Sequence, residues 1–197
     1  MIYVRMYDET GCTAAERSQR ETELAGRLLL YAVRREFGFA PETARIAKGR
    51  HGKPYFQGLP VSYNISHCAG AVCCAVGRKE LGIDIEPAGR QTLSAVSRVC
   101  SENEQADIRR AADPGSRFMQ YWTLKESYVK YLGEGLSFGL QNAVFAWHGG
   151  VPVLAGSPLP FQQEYLGGSG AGFWLSACGE ELPMTVQIIT EEDEMSV

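Results

Sequence analysis

No run in the 197 residues is apolar for long enough to cross a bilayer: the longest, Ala69 to Gly77, falls far short of the roughly 20 residues a spanning helix needs. The start, Met1-Ile2-Tyr3-Val4-Arg5, lacks the layout of a secretory signal. Cytoplasmic location with no membrane partner is therefore expected. Excess positive charge is missing too. Nineteen Lys and Arg against 23 Asp and Glu give a net charge of −4, which removes bulk attraction to nucleic acid or anionic membrane. There is no Cys-x-x-Cys pair among the six cysteines, so they are expected to be buried thiols. A zinc site from His67, Cys68, Cys73 and Cys74 is disfavoured, because Cys73 and Cys74 are adjacent and on a strand would point to opposite faces. No internal repeat is evident. What remains is ordinary globular composition, 45% apolar and 21% charged, enough for one large core or two modest lobes.

Local patterns predict an α+β fold. Residues 2 to 7 suit a strand, and residues 18 to 37 carry Leu24, Leu28, Tyr31 and Ala32 at helical spacing before Gly38. After Pro41 the chain is polar and Gly-rich through Lys48-Gly49-Arg50-His51-Gly52-Lys53-Pro54. Strands are predicted over 61–66, 70–78 and 81–86, the last two as a hairpin. Residues 91 to 113 are charged and helix-like in pieces, and Pro114-Gly115 breaks them from a long helix over 116–132, stopped by Gly133. Further strands are expected at 143–147, 151–154, 171–178 and 184–190, with a Gly-rich turn at Gly167-Gly168-Ser169-Gly170. Each half thus has a long helix with short strands, dividing near residues 87 to 97.

Asp84 and Glu86 stand two apart on a predicted strand, so their carboxylates share one face, about 7 Å apart. Such a pair is either a solvated strand face or part of a Mg²⁺ site, since that ion uses one or two carboxylates plus substrate phosphates. On the long helix, Glu126 and Lys130 form an i, i+4 pair that is either a surface ion pair or, with Trp122 on the same face, a partly buried one. Asn64-Ile65-Ser66-His67 closes a strand with three hydrogen-bonding side chains. Lys48, Arg50 and Lys53 make a local positive patch that suits a phosphate-rich ligand.

Taken in order, Gly52-Lys53-Pro54, Tyr63-Asn64-Ile65-Ser66-His67-Cys68, Gly82-Ile83-Asp84-Ile85-Glu86, Trp122-Thr123-Leu124-Lys125-Glu126-Ser127-Tyr128-Val129-Lys130 and Gly133-Glu134-Gly135-Leu136 resemble the motifs of 4'-phosphopantetheinyl transferases of the surfactin-synthetase type. A weaker match is Cys100-Ser101-Glu102-Asn103-Glu104 to the family's aromatic-Ser-x-x-Glu segment. The resemblance runs from about Lys48 to Leu136.

It implies a monomeric pseudo-dimer of two similar lobes, residues 1–92 and 93–197, each a long helix on a small, mostly antiparallel sheet, with the active site in the cleft between them. The implied reaction is Mg²⁺-dependent. It moves the 4'-phosphopantetheine group of coenzyme A, the co-substrate, to a serine hydroxyl of an apo acyl or peptidyl carrier protein and releases adenosine 3',5'-bisphosphate. By the same resemblance Asp84, Glu86 and Glu126 hold the metal. Lys48, Lys53, Asn64, Ser66, His67, Asp84, Lys125 and Lys130 form the coenzyme A site, and Glu126 and Lys130 are catalytic, Glu126 as base and Lys130 against the reacting pyrophosphate. Lys130 and the metal are expected to lower the pKa of Glu126. The family's early basic contact to coenzyme A has no clear counterpart, with Arg17 and Arg20 as candidates. A metal-dependent phosphodiesterase and a coenzyme A-binding module without turnover are the competing readings.

Overall fold

The computed structural model describes residues 1–40, 44–49, 51–89, 93–167 and 172–195. In chain order the elements are β1 (Ile2–Met6), α1 (Ala14–Phe37), β2 (Ile46–Lys48), β3 (Pro54–Phe56), β4 (Ser62–Cys68), β5 (Ala71–Gly77), β6 (Leu81–Pro87), α2 (Val96–Val99), α3 (Glu102–Arg110), α4 (Pro114–Leu132), β7 (Phe145–His148), β8 (Val151–Leu154), β9 (Phe161–Leu166), β10 (Phe173–Gly179), β11 (Val186–Ile189) and α5 (Glu191–Met195). Arg50 of the expected positive patch and most of the Gly167–Gly170 turn lie outside the described residues.

Both long helices have chemically defined ends. Thr13 caps α1 in a reciprocal capping box with Glu16, and Gly38 closes it in the left-handed region at φ 68°. Asp113 accepts from the Ser116 N–H at the start of α4, Pro114 occupies its first turn, and Gly133 ends it at φ 69°.

Four layers follow from strand alternation. One sheet has the order β11-β1-β5-β4 and a second the order β6-β10-β9. Along β5, Val72, Cys74 and Val76 pack with Leu28 and Ala32 of α1, while Ala71, Cys73 and Ala75 pack with Ile83, Ile85 and Leu175 of the second sheet. Cys73 and Cys74 therefore do face opposite ways, and both are free and buried. Beyond the second sheet, Phe118 and Leu124 of α4 join Phe145, Leu154 and Phe161 in a third apolar cluster. The architecture is α+β.

The expected hairpin of 70–78 with 81–86 is not formed. β5 has β1 on one edge and β4 on the other, so neither edge is left for β6. β6 pairs instead with β10, from Leu81 opposite Gly179 to Pro87 opposite Phe173. In the other direction β11 pairs in parallel with β1. Each half of the chain thus lends one strand to the sheet under the other half's helix.

Two ladders were not legible. β2 and β3 fall in the stretch read as a polar loop, and three residues apiece are too few to show alternation. β9 has Gln162, Gln163 and Glu164 at its centre, which hide its period. Both glutamines have internal partners: Gln163 donates to Ser176 Oγ at 2.9 Å, and Gln162 bonds the Met184 N–H and carbonyl at 2.8 Å each.

The approach of β6 to α4 depends on Gly82. A Cβ there would lie 2.0 Å from the Ser127 carbonyl oxygen and 2.5 Å from the Tyr131 nitrogen. Both obstacles are backbone and cannot rotate away. Gly82→Ala should therefore destabilise the protein at or beyond the upper end of the ~1–3 kcal/mol typical of overpacking. Thermal unfolding checks this, and an unchanged Tm would mean that the two elements can separate without loss.

Candidate active site

The alternation that buries Ile83 and Ile85 under the first sheet turns Asp84 toward α4. Only 4% exposed, Asp84 receives two hydrogen bonds on Oδ1, from Ser66 Oγ at 2.7 Å and from Lys130 Nζ at 2.7 Å. Lys130 also donates to Ser66 Oγ at 2.7 Å, closing a triangle between β4, β6 and α4. The other oxygen, Asp84 Oδ2, is buried with no hydrogen-bond partner. A buried carboxylate oxygen without a partner is costly, and a hard cation is the ligand that would relieve it.

Glu126 lies one turn before Lys130 on the same helix. Burial pushes its carboxyl pKa up, and repulsion from Asp84 and Glu86 adds to that, while Lys130 pulls it down. Lys130 acts in the expected direction, but burial outweighs it and the net shift is upward. Burial disfavours the charged form of Lys130, but the Asp84 carboxylate outweighs it, helped by Cys73 and Glu126, so the lysine holds its proton more firmly than a free one. Glu126 is thus the carboxyl that feels the charges of both Asp84 and Glu86. The three carboxylates are not a preformed cage: among the described residues no three His, Cys, Asp or Glu side chains are grouped closely enough to hold a metal. Lys130, rather than another carboxylate, is the close partner of Asp84.

Next to this cluster is a cleft of about 350 Å³ between α4, the Gly52-Lys53-Pro54 turn and the Gly133–Leu140 segment, lined by Asn64, Ile65, Glu126 and Lys130 among others. The lysine of the turn, Lys53, is partly committed. Lys53 Nζ donates to Glu80 Oε2 at 2.7 Å, to the Leu81 carbonyl at 3.1 Å and to the Tyr131 carbonyl at 3.2 Å, tying the start of β6 to the end of α4. Lys48 is exposed on β2, opposite Pro54. Asn64 and Ser66 serve β6 with their side chains. Asn64 Oδ1 accepts from the Ile83 N–H at 2.9 Å and Ser66 Oγ from the Ile85 N–H at 3.4 Å, replacing ladder bonds along that edge.

His67, the next residue on β4, points to the opposite face, toward α1. Its Nδ1 is 3.0 Å from Glu21 Oε2. With Arg17, Glu86 and Pro87 it lines a second cavity of about 640 Å³. Of the two arginines considered for an early basic contact, Arg17 lines this cavity. Arg20 donates to the Asp8 carbonyl at 2.9 Å and lies over the Tyr7 ring.

Lys125 departs from expectation. It is fully buried, 2.9 Å from Glu104 Oε2, and donates to the Leu140 and Ala143 carbonyls. With all its partners in the protein core, this ammonium is a structural cation rather than a contact for coenzyme A. Helical spacing explains the misreading, since Lys125 is next to Glu126 in sequence but about 100° around the helix. Glu104 was visible only as the end of a Ser-x-x-Glu motif. It closes a capping box with Ser101, pairs with Lys125, and accepts from the Phe145 N–H at 2.8 Å. Nothing in the local pattern marked Glu21, because its partners lie on other elements.

Residues 80–181 match the model of the 4'-phosphopantetheinyl transferase superfamily, and the chain belongs to that family. It is 34% identical over 125 residues to a 4'-phosphopantetheinyl transferase of Bacillus subtilis, covering 61% of this chain and 55% of the relative. Similarity to the 4'-phosphopantetheinyl transferase gsp of Aneurinibacillus migulanus is 34% over 97 residues, 48% of this chain and 40% of that one. A yeast relative, the L-aminoadipate-semialdehyde dehydrogenase-phosphopantetheinyl transferase of Saccharomyces cerevisiae, is 35% identical over 105 residues, 47% of this chain and 39% of that one. The match to the Bacillus subtilis protein thus spans about half of that relative's length.

Proposed function

We propose that the chain transfers the 4'-phosphopantetheine group of coenzyme A to a serine hydroxyl of an apo acyl or peptidyl carrier protein, with Mg²⁺, releasing adenosine 3',5'-bisphosphate. Family membership supports the reaction class. The observation that carries the reading is the unpartnered, buried Oδ2 of Asp84, beside a Glu126 carboxyl whose pKa is pushed up by burial first and then by Asp84 and Glu86.

The residues divide the work. The serine oxygen bonds to the phosphorus carrying the pantetheine arm, the phosphoanhydride bond to the nucleotide breaks, and the serine proton passes to Glu126 directly or through a water. Phosphoryl transfer requires positioning and charge neutralisation more than covalent help. Lys130, held by Asp84 and Ser66, presents a fixed positive charge to the pyrophosphate. Asp84, Glu86 and Glu126 would hold Mg²⁺, which supplies Lewis-acid neutralisation of the pyrophosphate oxygens when bound. Lys48, Lys53 and His67 would hold the phosphates and adenosine part of coenzyme A, while Asn64 and Ser66 act on that site by holding β6 in place. The reading also takes the protein as a cytoplasmic monomer of two lobes, 1–92 and 93–197, without nucleic acid or membrane as partner. No described helix is long and apolar enough to cross a membrane.

Mass spectrometry of an apo carrier protein incubated with this protein, coenzyme A and Mg²⁺ tests the proposal. The carrier should gain the phosphopantetheine mass. Nucleotide release with an unmodified carrier would indicate a phosphodiesterase instead, and binding without turnover a binding module. In the same assay Glu126→Gln should lower transfer at least about 10²-fold, because a positioned base contributes about 10²–10⁴-fold. Transfer at a near-normal rate would place the base elsewhere.

A further inference from the structure

Glu21 lies on α1, outside every motif described above, yet it is only 8% exposed and both its oxygens are used. Oε1 accepts from the Tyr7 hydroxyl at 3.0 Å, and Oε2 lies 3.0 Å from His67 Nδ1. Tyr7 is a dependable donor. Burial foremost, with a contribution from Glu21, holds its phenol pKa up at about 12, and its hydroxyl also reaches the Cys68 carbonyl at 3.3 Å. A buried carboxylate requires compensation. Here a phenol supplies part of it and the imidazole the rest.

His67 is less enclosed, with 47% of its side chain exposed, and lines the cavity of about 640 Å³ together with Arg17, Glu21 and Glu86. A carboxylate facing Nδ1 settles which nitrogen carries the proton and fixes the plane of the ring, leaving Nε2 for an external partner. The geometry points to Glu21 as a positioning residue: braced by Tyr7, it locks the His67 ring so that Nε2 meets an anionic oxygen of the ligand in this cavity. The inference rests on the proposed role of His67 as a coenzyme A contact. It adds a residue on α1 that acts through the imidazole. Tyr7 ties the lock to the segment after β1, so three separate parts of the chain converge on one ring.

Steady-state transfer with Glu21→Ala, Glu21→Gln and His67→Ala tests it, alongside calorimetric binding of adenosine 3',5'-bisphosphate. A hydrogen bond involving a charged group is lost in each alanine variant, so KM for coenzyme A should rise about 10-fold or more, with bisphosphate binding weakened in parallel. For Glu21→Ala, kcat should stay within about 3-fold, since the reacting atoms are elsewhere. Glu21→Gln keeps an oxygen that can accept from Nδ1 and should recover most of the loss. The Glu21→Ala, His67→Ala double variant should be no worse than His67→Ala alone, because both changes remove one interaction. If His67→Ala raises KM and Glu21→Ala does not, the positioning role is overturned. If His67→Ala itself changes nothing, the His67 contact is wrong and the inference falls with it, whereas phosphopantetheine transfer would still be scored by carrier mass. A readout independent of variant folding is the imidazole nitrogen spectrum of the wild-type protein. Neutral His67 should carry its proton on Nδ1, and a ring protonated only on Nε2 would overturn the lock.

Discussion

Asp84→Asn is expected to lower transfer at least about 10²-fold while coenzyme A affinity falls much less. Two losses combine in this one residue. Asparagine can still accept from Ser66, but it brings no charge to hold Lys130, whose ammonium is now 2.7 Å from both Asp84 Oδ1 and Ser66 Oγ. It also replaces the buried, unpartnered Oδ2 by an amide, removing the charged oxygen best suited to a hard cation. Neutralising charge on a reacting phosphoryl group is worth several kcal/mol, and each ~1.4 kcal/mol is tenfold in rate. Coenzyme A should still bind, because Lys53 and His67 are held by other partners, Glu80 and Glu21. Rapid-quench transfer assays give the rate, and titration with Mn²⁺ followed by electron paramagnetic resonance gives cation affinity without turnover. A variant that transferred within a few-fold of wild type and bound Mn²⁺ normally would remove Asp84 from the centre of the site.

Lys125→Met should cost about 3–5 kcal/mol of stability, the range seen when one partner of a buried ion pair is removed. The methionine fills similar space, so the loss is electrostatic. Glu104, 1% exposed, would keep only the Ser101 and Phe145 N–H groups, the Ala143 carbonyl would lose its ammonium donor, and the Leu140 carbonyl would keep only the Ala143 N–H. Lys79 and Glu180 make a pair of similar length, 3.0 Å, but both are about 60% exposed. Breaking that pair by Lys79→Ala should leave the unfolding midpoint close to that of wild type. Urea denaturation of the two variants beside wild type decides the matter. Equal shifts in the midpoint would show that burial does not strengthen the inner pair.

The sequence by itself determined the local pieces. The helix stops at Gly38 and Gly133 follow from capping chemistry that acts over a few residues and were readable, whereas the starts were placed late, at 18 and 116: Thr13 caps α1 before Ala14, and Pro114-Gly115, expected as a breaker, forms the first turn of α4. Asp84 on a strand and Glu126 and Lys130 on a helix follow likewise from period and spacing. Three things came only from tertiary structure, each for a physical reason. The partner of β6 was decided by which edges of β5 were already occupied, a competition that no segment records alone. Lys125 went to the core and Lys130 to the site because Glu104 and Asp84 lie on different sides of α4, and the sequence of α4 does not contain them. The Glu21 to His67 contact joins a helix to a strand through the folding of one onto the other. Periodicity reports which face of an element is apolar, but the polar group that meets that face across the fold is chosen by packing.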